Sequence, residues 1–259
     1  MEIALESLIG KDAFTERRCT ICGKLLKPVE IEVVGRTYRV VPACECEVKQ
    51  YQEEKERLER KELDVYLESF FSLSDAERYK DCSLDNFEPR EGVKEGWEKV
   101  KQYIENLEEN LKTGHSLLLF GDVGTGKSHL AFSIYNEAKK KCFSAIFNTV
   151  SNLMNRLDKA FVSNKETEFD LLELLKIADL LVLDDLGVEV ESKRSKERLY
   201  EIIGGRYNSR KVTIITTNLK TQEEMIRWLG ARIFDRLLES GTFIKFSGKS
   251  YRWVKRNGK

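Results

Sequence analysis

The chain has 259 residues, and its 44 Lys and Arg are balanced by 44 Asp and Glu, so the net charge gives no indication of a nucleic-acid partner. Hydrophobic residues make up 41% of the sequence and only 3 residues are proline, which excludes the disordered and collagen-like classes. No apolar run approaches the roughly 20 residues of a membrane span, and residues 1–14 contain no basic segment followed by an apolar stretch. We therefore expect a cytoplasmic protein of one to two domains with no membrane partner.

Four of the six cysteines lie close together near the N-terminus. Cys19 and Cys22 form Cys-x-x-Cys, and Cys44 and Cys46 form the more tightly spaced Cys-x-Cys. In a reducing compartment this set favours four thiolates around one Zn²⁺ over disulfides, and a segment of about 30 residues needs such a cross-link to fold. The sequence predicts a zinc-binding module over residues 1–50, with reduced structural thiols as the alternative.

A strongly charged segment follows the cysteines. From Glu45 to about Glu68 helix-forming residues predominate, while Tyr51, Leu58 and Val65 recur every seven residues. This pattern predicts a charged helical linker over residues 51–79, which is either a solvated connection or a partner-binding helix.

Beyond about residue 97, helical patterns alternate with five short β-rich runs. Several runs are continuously apolar, which is typical of strands covered on both faces. The sequence therefore predicts an α/β domain over residues 80–259, with a five-stranded parallel sheet flanked by helices. The runs are His115–Gly121, Ser144–Val150, Asp179–Asp185, Val212–Thr217 and Thr242–Phe246.

The first run ends in GDVGTGKS, which matches the phosphate-loop pattern G-x-x-x-x-G-K-[ST] between a strand and a helix. Glycines let backbone N–H groups surround phosphate oxygens, the lysine supplies a positive charge to the β- and γ-phosphates, and the serine hydroxyl is a ligand for Mg²⁺. A glycine-rich connecting turn is the alternative, and the histidine that follows is interpreted as a packing residue of the first helical turn. The predicted nucleotide-binding residues are Gly121, Asp122, Val123, Gly124, Thr125, Gly126, Lys127, Ser128 and His129.

Two adjacent acids, Asp184 and Asp185, follow four apolar residues at the end of the third run. Ligands of open α/β sheets bind at this edge, and two acids there are costly unless they meet a cation or water. We predict that Asp184 holds Mg²⁺ through water and that Asp185 orients the water that attacks the γ-phosphate.

Further polar residues follow the fourth and fifth runs. Asn218 ends a strand expected beside the acidic one, where it can hydrogen-bond the attacking water or the γ-phosphate. Arg232 and Arg236 lie four residues apart on one helix face, so they either form surface pairs with neighbouring acids, Asp235 or Glu239, or supply an arginine finger to a neighbouring subunit. Arg252 can reach phosphate within its own chain.

With GDVGTGKS, LLVLDD, TTN, RIFDR and SYR in this order, residues 80–254 resemble the AAA+ ATPases of the DnaC/DnaI helicase-loader group, to which the transposition helper IstB is related. The resemblance implies an ATP-hydrolysing domain with a short or absent helical lid, and it places the segment DCSLDNFEP near the adenine. Many relatives have Glu where Asp185 stands, and Asp is one methylene shorter, so slow hydrolysis is expected. Without a lid to shield the nucleotide, a neighbouring subunit would have to complete the site, so hydrolysis is also expected to depend on assembly. The implied roles are Walker A for Lys127 and Ser128, Walker B for Asp184 and Asp185, sensor 1 for Asn218, arginine finger for Arg236 and sensor 2 for Arg252.

The four-cysteine module is similar to that of DnaI-like loaders, in which it binds the replicative helicase, whereas IstB-like helpers generally lack it. The resemblance thus implies an ATP-dependent loader that binds a hexameric replicative helicase through the N-terminal module. The ATPase core would bind ATP, its product ADP and single-stranded DNA, and would self-assemble with ATP sites at subunit interfaces.

Single-stranded DNA binding requires basic and aromatic side chains along a groove. Candidates follow the second run, in a helix whose pattern is equally typical of core packing: Asn155, Arg156, Lys159 and Phe161. Two other functions stay open at this point. One is a transposition helper that binds duplex DNA and a transposase, and the other is a nucleotide-gated adaptor with little hydrolysis.

Overall fold

The computed structural model describes residues 15–71, 79–162, 167–187 and 192–257, without the side chains of residues 161, 162 and 257. Residues 1–14, which bear on the expectation of no secretory signal, lie outside this range. The chain divides into two compact units, Met1–Glu59 and Arg60–Lys259. Within the described ranges, no helix has both the length and the apolar character that crossing a bilayer demands. The predicted assignment of functions to residues 1–50, 51–79 and 80–259 stays a prediction.

From residue 15 onward, the N-terminal unit contains two small antiparallel ribbons and the start of a long helix. Strand β1 (Arg17–Arg18) pairs with β2 (Leu25–Leu26), and β3 (Val29–Val33) pairs with β4 (Arg36–Val40). Among the described residues of this unit, the buried apolar side chains are those of Cys19, Leu26 and Cys44. So small a core gives little hydrophobic stabilisation, as is typical of small modules that are cross-linked.

Helix α1 (Glu45–Phe71) confirms the charged helix predicted from Glu45. Its heptad residues Tyr51, Leu58 and Val65 are 71%, 53% and 62% exposed, so they do not form a core. Near the end of the helix the side chains of Leu67 and Phe71 are buried in the C-terminal unit, and Lys139 forms ion pairs with Asp64 and Glu68. The last turns of α1 are therefore an integral part of the C-terminal unit.

The C-terminal unit alternates helices and strands as the sequence predicts. Its elements are α2 (Lys94–Glu105), α3 (Leu107–Thr113), β5 (Ser116–Gly121), α4 (Lys127–Lys140), β6 (Ala145–Thr149), α5 (Val150–Val162), α6 (Glu168–Ile177), β7 (Leu180–Leu186), α7 (Lys193–Asn208), β8 (Val212–Thr217), α8 (Gln222–Leu229), α9 (Ala231–Ser240), β9 (Gly241–Phe246) and α10 (Tyr251–Asn257).

The five strands β5–β9 form one parallel sheet in the order β6-β7-β8-β5-β9, which confirms the predicted sheet. Alternate residues of β7 enter two separate hydrophobic clusters: Leu181 and Leu183 pack on one face, Leu180 and Val182 on the other. Burial on both faces explains why these strands read as continuous apolar runs. The order also brings the carboxyl ends of β5, β7 and β8 together at one edge.

Arg206 of α7 connects several segments near the amino ends of the strands. This fully buried side chain donates hydrogen bonds to the carbonyl oxygens of Leu175 (2.6 Å), Ala178 (2.8 Å) and Val212 (2.5 Å), and to Thr213 Oγ1 (3.1 Å). Burial lowers the pKa of Arg206 to about 9. The guanidinium thus connects carbonyl groups at the end of α6 and just after it to the start of β8.

Candidate active site

The phosphate loop runs from the end of β5 to the start of α4 and depends on three glycines. Gly121, Gly124 and Gly126 have φ of 118°, 73° and 97°, in the region that favours glycine. A Cβ atom on Gly124 would clash with Ser250, and one on Gly126 would clash with the ring of Phe87. Neighbouring segments therefore approach the loop so closely that only glycine fits.

Lys127 lies at the first position of α4, and its side chain is almost completely buried. Its Nζ donates to the carbonyl oxygens of Gly121 (3.1 Å) and Asp122 (2.7 Å) and to Asn218 Oδ1 (2.9 Å). Burial lowers the pKa of Lys127 to about 8, against the opposing effect of nearby carboxylates. The three donors of the ammonium group are thus occupied by the loop itself and by the predicted sensor residue.

Asp184 is completely buried at the end of β7. Its Oδ1 accepts a hydrogen bond from Thr216 Oγ1 (2.5 Å), whereas its Oδ2 is buried with no hydrogen-bond partner among the described residues. Burial raises the pKa of Asp184 to about 6, and the charge of Asp185 adds to this effect, while Thr216, Ser128 and Lys127 oppose it. A buried carboxylate oxygen without a donor, beside the Ser128 hydroxyl, fits a divalent cation with oxygen ligands.

Asp185 adopts a left-handed backbone conformation, with φ of 56°. The register between β7 and β8 shifts between Leu183 and Leu186, and the N–H of Asp185 donates to Thr216 Oγ1 (3.0 Å) instead of a backbone carbonyl. This bulge turns the Asp185 side chain into the cavity in front of the phosphate loop.

That cavity has a volume of about 340 Å³. The structure brings most of the predicted site residues to its walls: Val123, Gly124, Thr125, Gly126, Lys127, Ser128, His129, Asp185, Asn218 and Arg252. Gly121 and Asp122 begin the loop just outside this lining, and Asp184 is buried next to Asp185.

The lining also includes residues that received no individual role from the sequence analysis, among them Tyr79, Phe87, Arg90 and Tyr251. Of these, Phe87 lies in the segment DCSLDNFEP and Tyr251 lies in the motif SYR. His129 supports this lining, because its Nε2 lies 2.8 Å from the carbonyl oxygen of Ser83 and its ring meets Phe87 edge-on.

The segment that enters α10 is attached directly to the phosphate loop. The N–H of Tyr251 donates to the carbonyl oxygen of Gly124 (2.8 Å), and the N–H of Gly248 donates to Asp122 Oδ2 (3.0 Å). Lys220 forms an ion pair of 2.7 Å with Asp122 Oδ1 and lowers the pKa of that carboxyl. Arg252 therefore reaches the cavity from a helix whose first turn is anchored on the loop.

Arg236 lies elsewhere and does not line this cavity. Its guanidinium carbon is 5.2 Å from the centroid of the Tyr207 ring, while Arg232 Nη1 donates to Tyr200 Oη (2.9 Å). Within the described ranges, neither arginine forms an ion pair with Asp235 or Glu239. The fold therefore separates Arg236 from its own phosphate loop.

The four N-terminal cysteines converge as the sequence predicts. The Sγ atoms of Cys19, Cys22, Cys44 and Cys46 all lie within 4.8 Å of one another, with Sγ–Sγ distances of 3.2 Å for Cys19–Cys46 and 3.7 Å for Cys22–Cys44. Four thiolates at about 2.3 Å from one Zn²⁺ have sulfur–sulfur distances of about 3.8 Å. The donor set and its spacing fit a closed four-thiolate zinc site.

The predicted DNA-contacting residues lie on α5. Leu153 and Leu157 bury one face of this helix in the core, while Asn155 and Lys159 are exposed and Arg156 is half-buried. The side chain of Phe161 lies outside the described residues. The helix therefore both packs in the core and presents polar groups to solvent.

Comparison with known proteins identifies the family. The family described as "IstB-like ATP binding protein" matches residues 99–258. The replicative helicase loader DnaC of Escherichia coli K12 is 33% identical over 198 residues, which cover 75% of this chain and 79% of DnaC.

Solved structures agree with this similarity. A crystal structure of the DnaC helicase loader superposes with a TM-score of 0.59 at 29% identity, covering 66% of this chain and 100% of that one. The structure of DnaI shares the fold, with a TM-score of 0.55 at 22% identity over 69% of this chain and 94% of DnaI. These matches confirm the fold expected from the motifs. The chain is a member of the IstB-like ATP-binding family, an AAA+ ATPase homologous to the helicase loader DnaC.

Proposed function

We propose that this protein is an ATP-dependent loader that places a hexameric replicative helicase on DNA in the cytoplasm. The observation that carries the proposal is the similarity to DnaC, which extends over 79% of that loader. The four-cysteine cluster at the N-terminus supports a loader over a transposition helper, because a compact cross-linked module supplies a separate docking unit.

The phosphate loop would bind the triphosphate of ATP through its backbone N–H groups and the N-terminus of α4. Lys127 would then leave the carbonyl oxygens of Gly121 and Asp122 to reach the β- and γ-phosphates. The same movement releases Asn218, whose amide becomes available for the γ-phosphate or the attacking water. Binding thus exchanges contacts within the protein for contacts with the nucleotide.

Ser128 and Asp184 would hold Mg²⁺, and the unpartnered Oδ2 of Asp184 is the observation that supports this assignment. When bound, the ion would offset negative charge on the β- and γ-phosphate oxygens. Asp185, turned into the cavity by the β7 bulge, would orient the attacking water.

Arg252 and Arg236 would both contact the phosphates of one bound ATP, Arg252 from the subunit that binds it and Arg236 from the neighbouring subunit. Arg252 lines the cavity and would contact phosphate in its own subunit. Arg236 does not line the cavity of its own subunit and would complete the site of a neighbouring subunit, so ATP hydrolysis would be slow until subunits assemble. Sites at subunit interfaces would thereby couple ATP turnover to self-assembly.

In the N-terminal unit, Cys19, Cys22, Cys44 and Cys46 would hold Zn²⁺ in a structural role, because four thiolates leave no open ligand position. This unit would bind the helicase, whereas the core would contact single-stranded DNA through Asn155, Lys159 and neighbouring residues of α5.

Affinity capture from the native host tests the proposal, with ATP and Mg²⁺ present and the full-length chain as bait. We expect a replicative helicase as the dominant co-purifying protein, and we expect Cys44→Ser to lose it. The matched control is Cys142→Ser, which changes a cysteine outside the cluster. The match of residues 99–258 to an IstB-like family favours a transposition helper as the second candidate, and capture of a transposase in place of a helicase would establish it.

A further inference from the structure

Two consecutive glycines, Gly204 and Gly205, lie in the last third of helix α7 (Lys193–Asn208). Glycine is a poor residue for a helix interior, so its presence there calls for a packing reason. A Cβ atom on Gly204 would lie 2.8 Å from Arg236 Nη1 and 3.7 Å from Ile233 Cδ1. The missing side chain at position 204 is therefore the space into which the Arg236 guanidinium fits.

Tyr207 also contacts the Arg236 guanidinium, and we call Gly204 and Tyr207 together the Arg236 seat. Its ring centroid is 5.2 Å from the guanidinium carbon of Arg236, within the range of a cation–π contact. The Tyr207 hydroxyl donates to Glu239 Oε2 (2.6 Å), which fixes the orientation of the ring. Among the described residues, the Arg236 guanidinium has no hydrogen-bond partner, so its N–H groups stay available for an acceptor outside the chain.

The neighbouring arginine is held differently. Arg232 uses Nη1 to bond the hydroxyl of Tyr200, one turn before Gly204 on the same face of α7. Both arginines of α9 thus contact α7, but only Arg236 is packed on a ring and a glycine while its donors remain free. Such a guanidinium is pre-oriented, and little side-chain entropy would be lost when it meets a phosphate.

We propose that Gly204 and Tyr207 are positioning residues for ATP hydrolysis, which hold the Arg236 guanidinium ready to enter the γ-phosphate site of a second copy of this chain. The inference rests on the proposed role of Arg236 in a neighbouring subunit. In this role the planar guanidinium of Arg236 would donate hydrogen bonds to the terminal phosphate oxygens as negative charge develops there.

Gly204→Ala tests whether Gly204 positions Arg236, and Gly205→Ala is the matched control in the same helix. Both changes raise helix propensity, and each added Cβ would displace a flexible side chain: Arg236 at position 204 (Nη1 at 2.8 Å) and Lys176 at position 205 (Cδ at 3.0 Å). The two variants therefore differ in whether the side chain that has to move is the proposed arginine finger. Because an arginine finger contributes about 10³–10⁵ in rate, we expect Gly204→Ala to lower the turnover of assembled protein at least about 10-fold. We expect Gly205→Ala to stay within about twofold of wild type, and melting temperatures will verify that both variants are folded.

A mixing experiment separates misplacement of Arg236 from general damage. Asp185→Asn subunits keep an intact Arg236 but lack the group that orients water, whereas Gly204→Ala subunits keep an intact phosphate site. Mixing the two should restore turnover above the sum of the separate activities. No gain on mixing would mean that Gly204→Ala damages its own site, and would overturn the inference.

Arg236→Ala, alone and mixed with Asp185→Asn, distinguishes this inference from the proposed function. If Arg236→Ala hydrolyses ATP like wild type, the role of Arg236 across subunits fails and the inference fails with it. If Arg236→Ala is impaired and recovers on mixing while Gly204→Ala and Tyr207→Leu hydrolyse like wild type, only the positioning role is wrong.

Discussion

The ammonium group of Lys127 donates a hydrogen bond of 2.9 Å to the side-chain oxygen of Asn218, across 91 residues of sequence. The two residues proposed to act on the γ-phosphate are therefore in direct contact with each other. We expect bound ATP to separate them, so that part of the cost of nucleotide binding lies in breaking this one hydrogen bond.

Asn218→Ala should separate ATP binding from ATP hydrolysis. The change removes one partner of Lys127 but leaves its phosphate-directed charge, so we expect the Kd for ATP to stay within a few-fold of wild type. Turnover should fall by about 10²-fold, because a donor near the reacting phosphate and water is lost. Calorimetry and steady-state hydrolysis measure the two quantities. A large loss of affinity with unchanged turnover of bound ATP would contradict this role.

The pKa of Asp184 predicts a pH-dependent stability of the nucleotide-free protein. Because burial raises this pKa from 3.8 to about 6, the stability contributed by the protonated carboxyl is complete below pH 3.8 and is lost as pH rises through 6. The difference corresponds to about 3 kcal/mol in the free energy of unfolding.

Asp184→Asn should therefore raise the melting temperature above that of wild type at pH 7 without nucleotide, and the gain should vanish near pH 4. The same variant should lose the stabilisation that ATP with Mg²⁺ gives to wild type. Thermal melts across this pH range provide the measurement, and equal melting temperatures at pH 7 would refute the assignment of a raised pKa.

Arg206→Met should strongly destabilise the C-terminal unit without touching the nucleotide cavity. The change leaves the carbonyl oxygens of Leu175, Ala178 and Val212 without their shared donor, and loss of such a buried charged partner costs about 3–5 kcal/mol. Lys211→Ala is a suitable control, since it breaks a partly exposed pair with Asp179 and should cost less than about 1 kcal/mol. Urea unfolding of both variants tests the contrast, and equal losses would show that Arg206 has no special role.

Chelation of zinc should affect the two units differently. We expect one zinc per chain by elemental analysis, and we expect its removal to expose residues 15–46 to proteolysis, because Cys19, Leu26 and Cys44 form the only described core there. ATP binding by the C-terminal unit should persist. Preparations that are fully folded and free of zinc would rule out the structural role of the cluster.

The sheet and its phosphate loop can be predicted from the sequence because the patterns that indicate them are short and continuous in the chain. Continuous apolar runs report burial on both faces, and GDVGTGKS places a glycine-rich turn between a strand and a helix. The same reasoning places Asp184, Asp185 and Asn218 at one edge, because parallel strands end there together. The roles of these residues stay predictions, whereas their proximity is a structural observation.

Other features depend on segments that are distant in the sequence. The left-handed conformation of Asp185 accompanies a register shift against β8, and no residue pattern in LLVLDD predicts it. Arg206 looks like an ordinary charged residue of an amphipathic helix, yet it is completely buried by the strands and helix around it. Phe87 and Tyr251 join one cavity only because both segments pack on the glycines of the phosphate loop.

The anchoring of α10 on the phosphate loop has an experimental use. Trp253 lies two residues after Tyr251, whose N–H bonds to Gly124, and its indole is 59% exposed. Rearrangement of the loop around a triphosphate would be transmitted through this short connection to the surroundings of the indole. In a variant that keeps Trp253 and replaces Trp97 and Trp228 with Phe, we therefore expect intrinsic fluorescence to report site occupancy, which suits stopped-flow measurement of how quickly nucleotide enters and leaves.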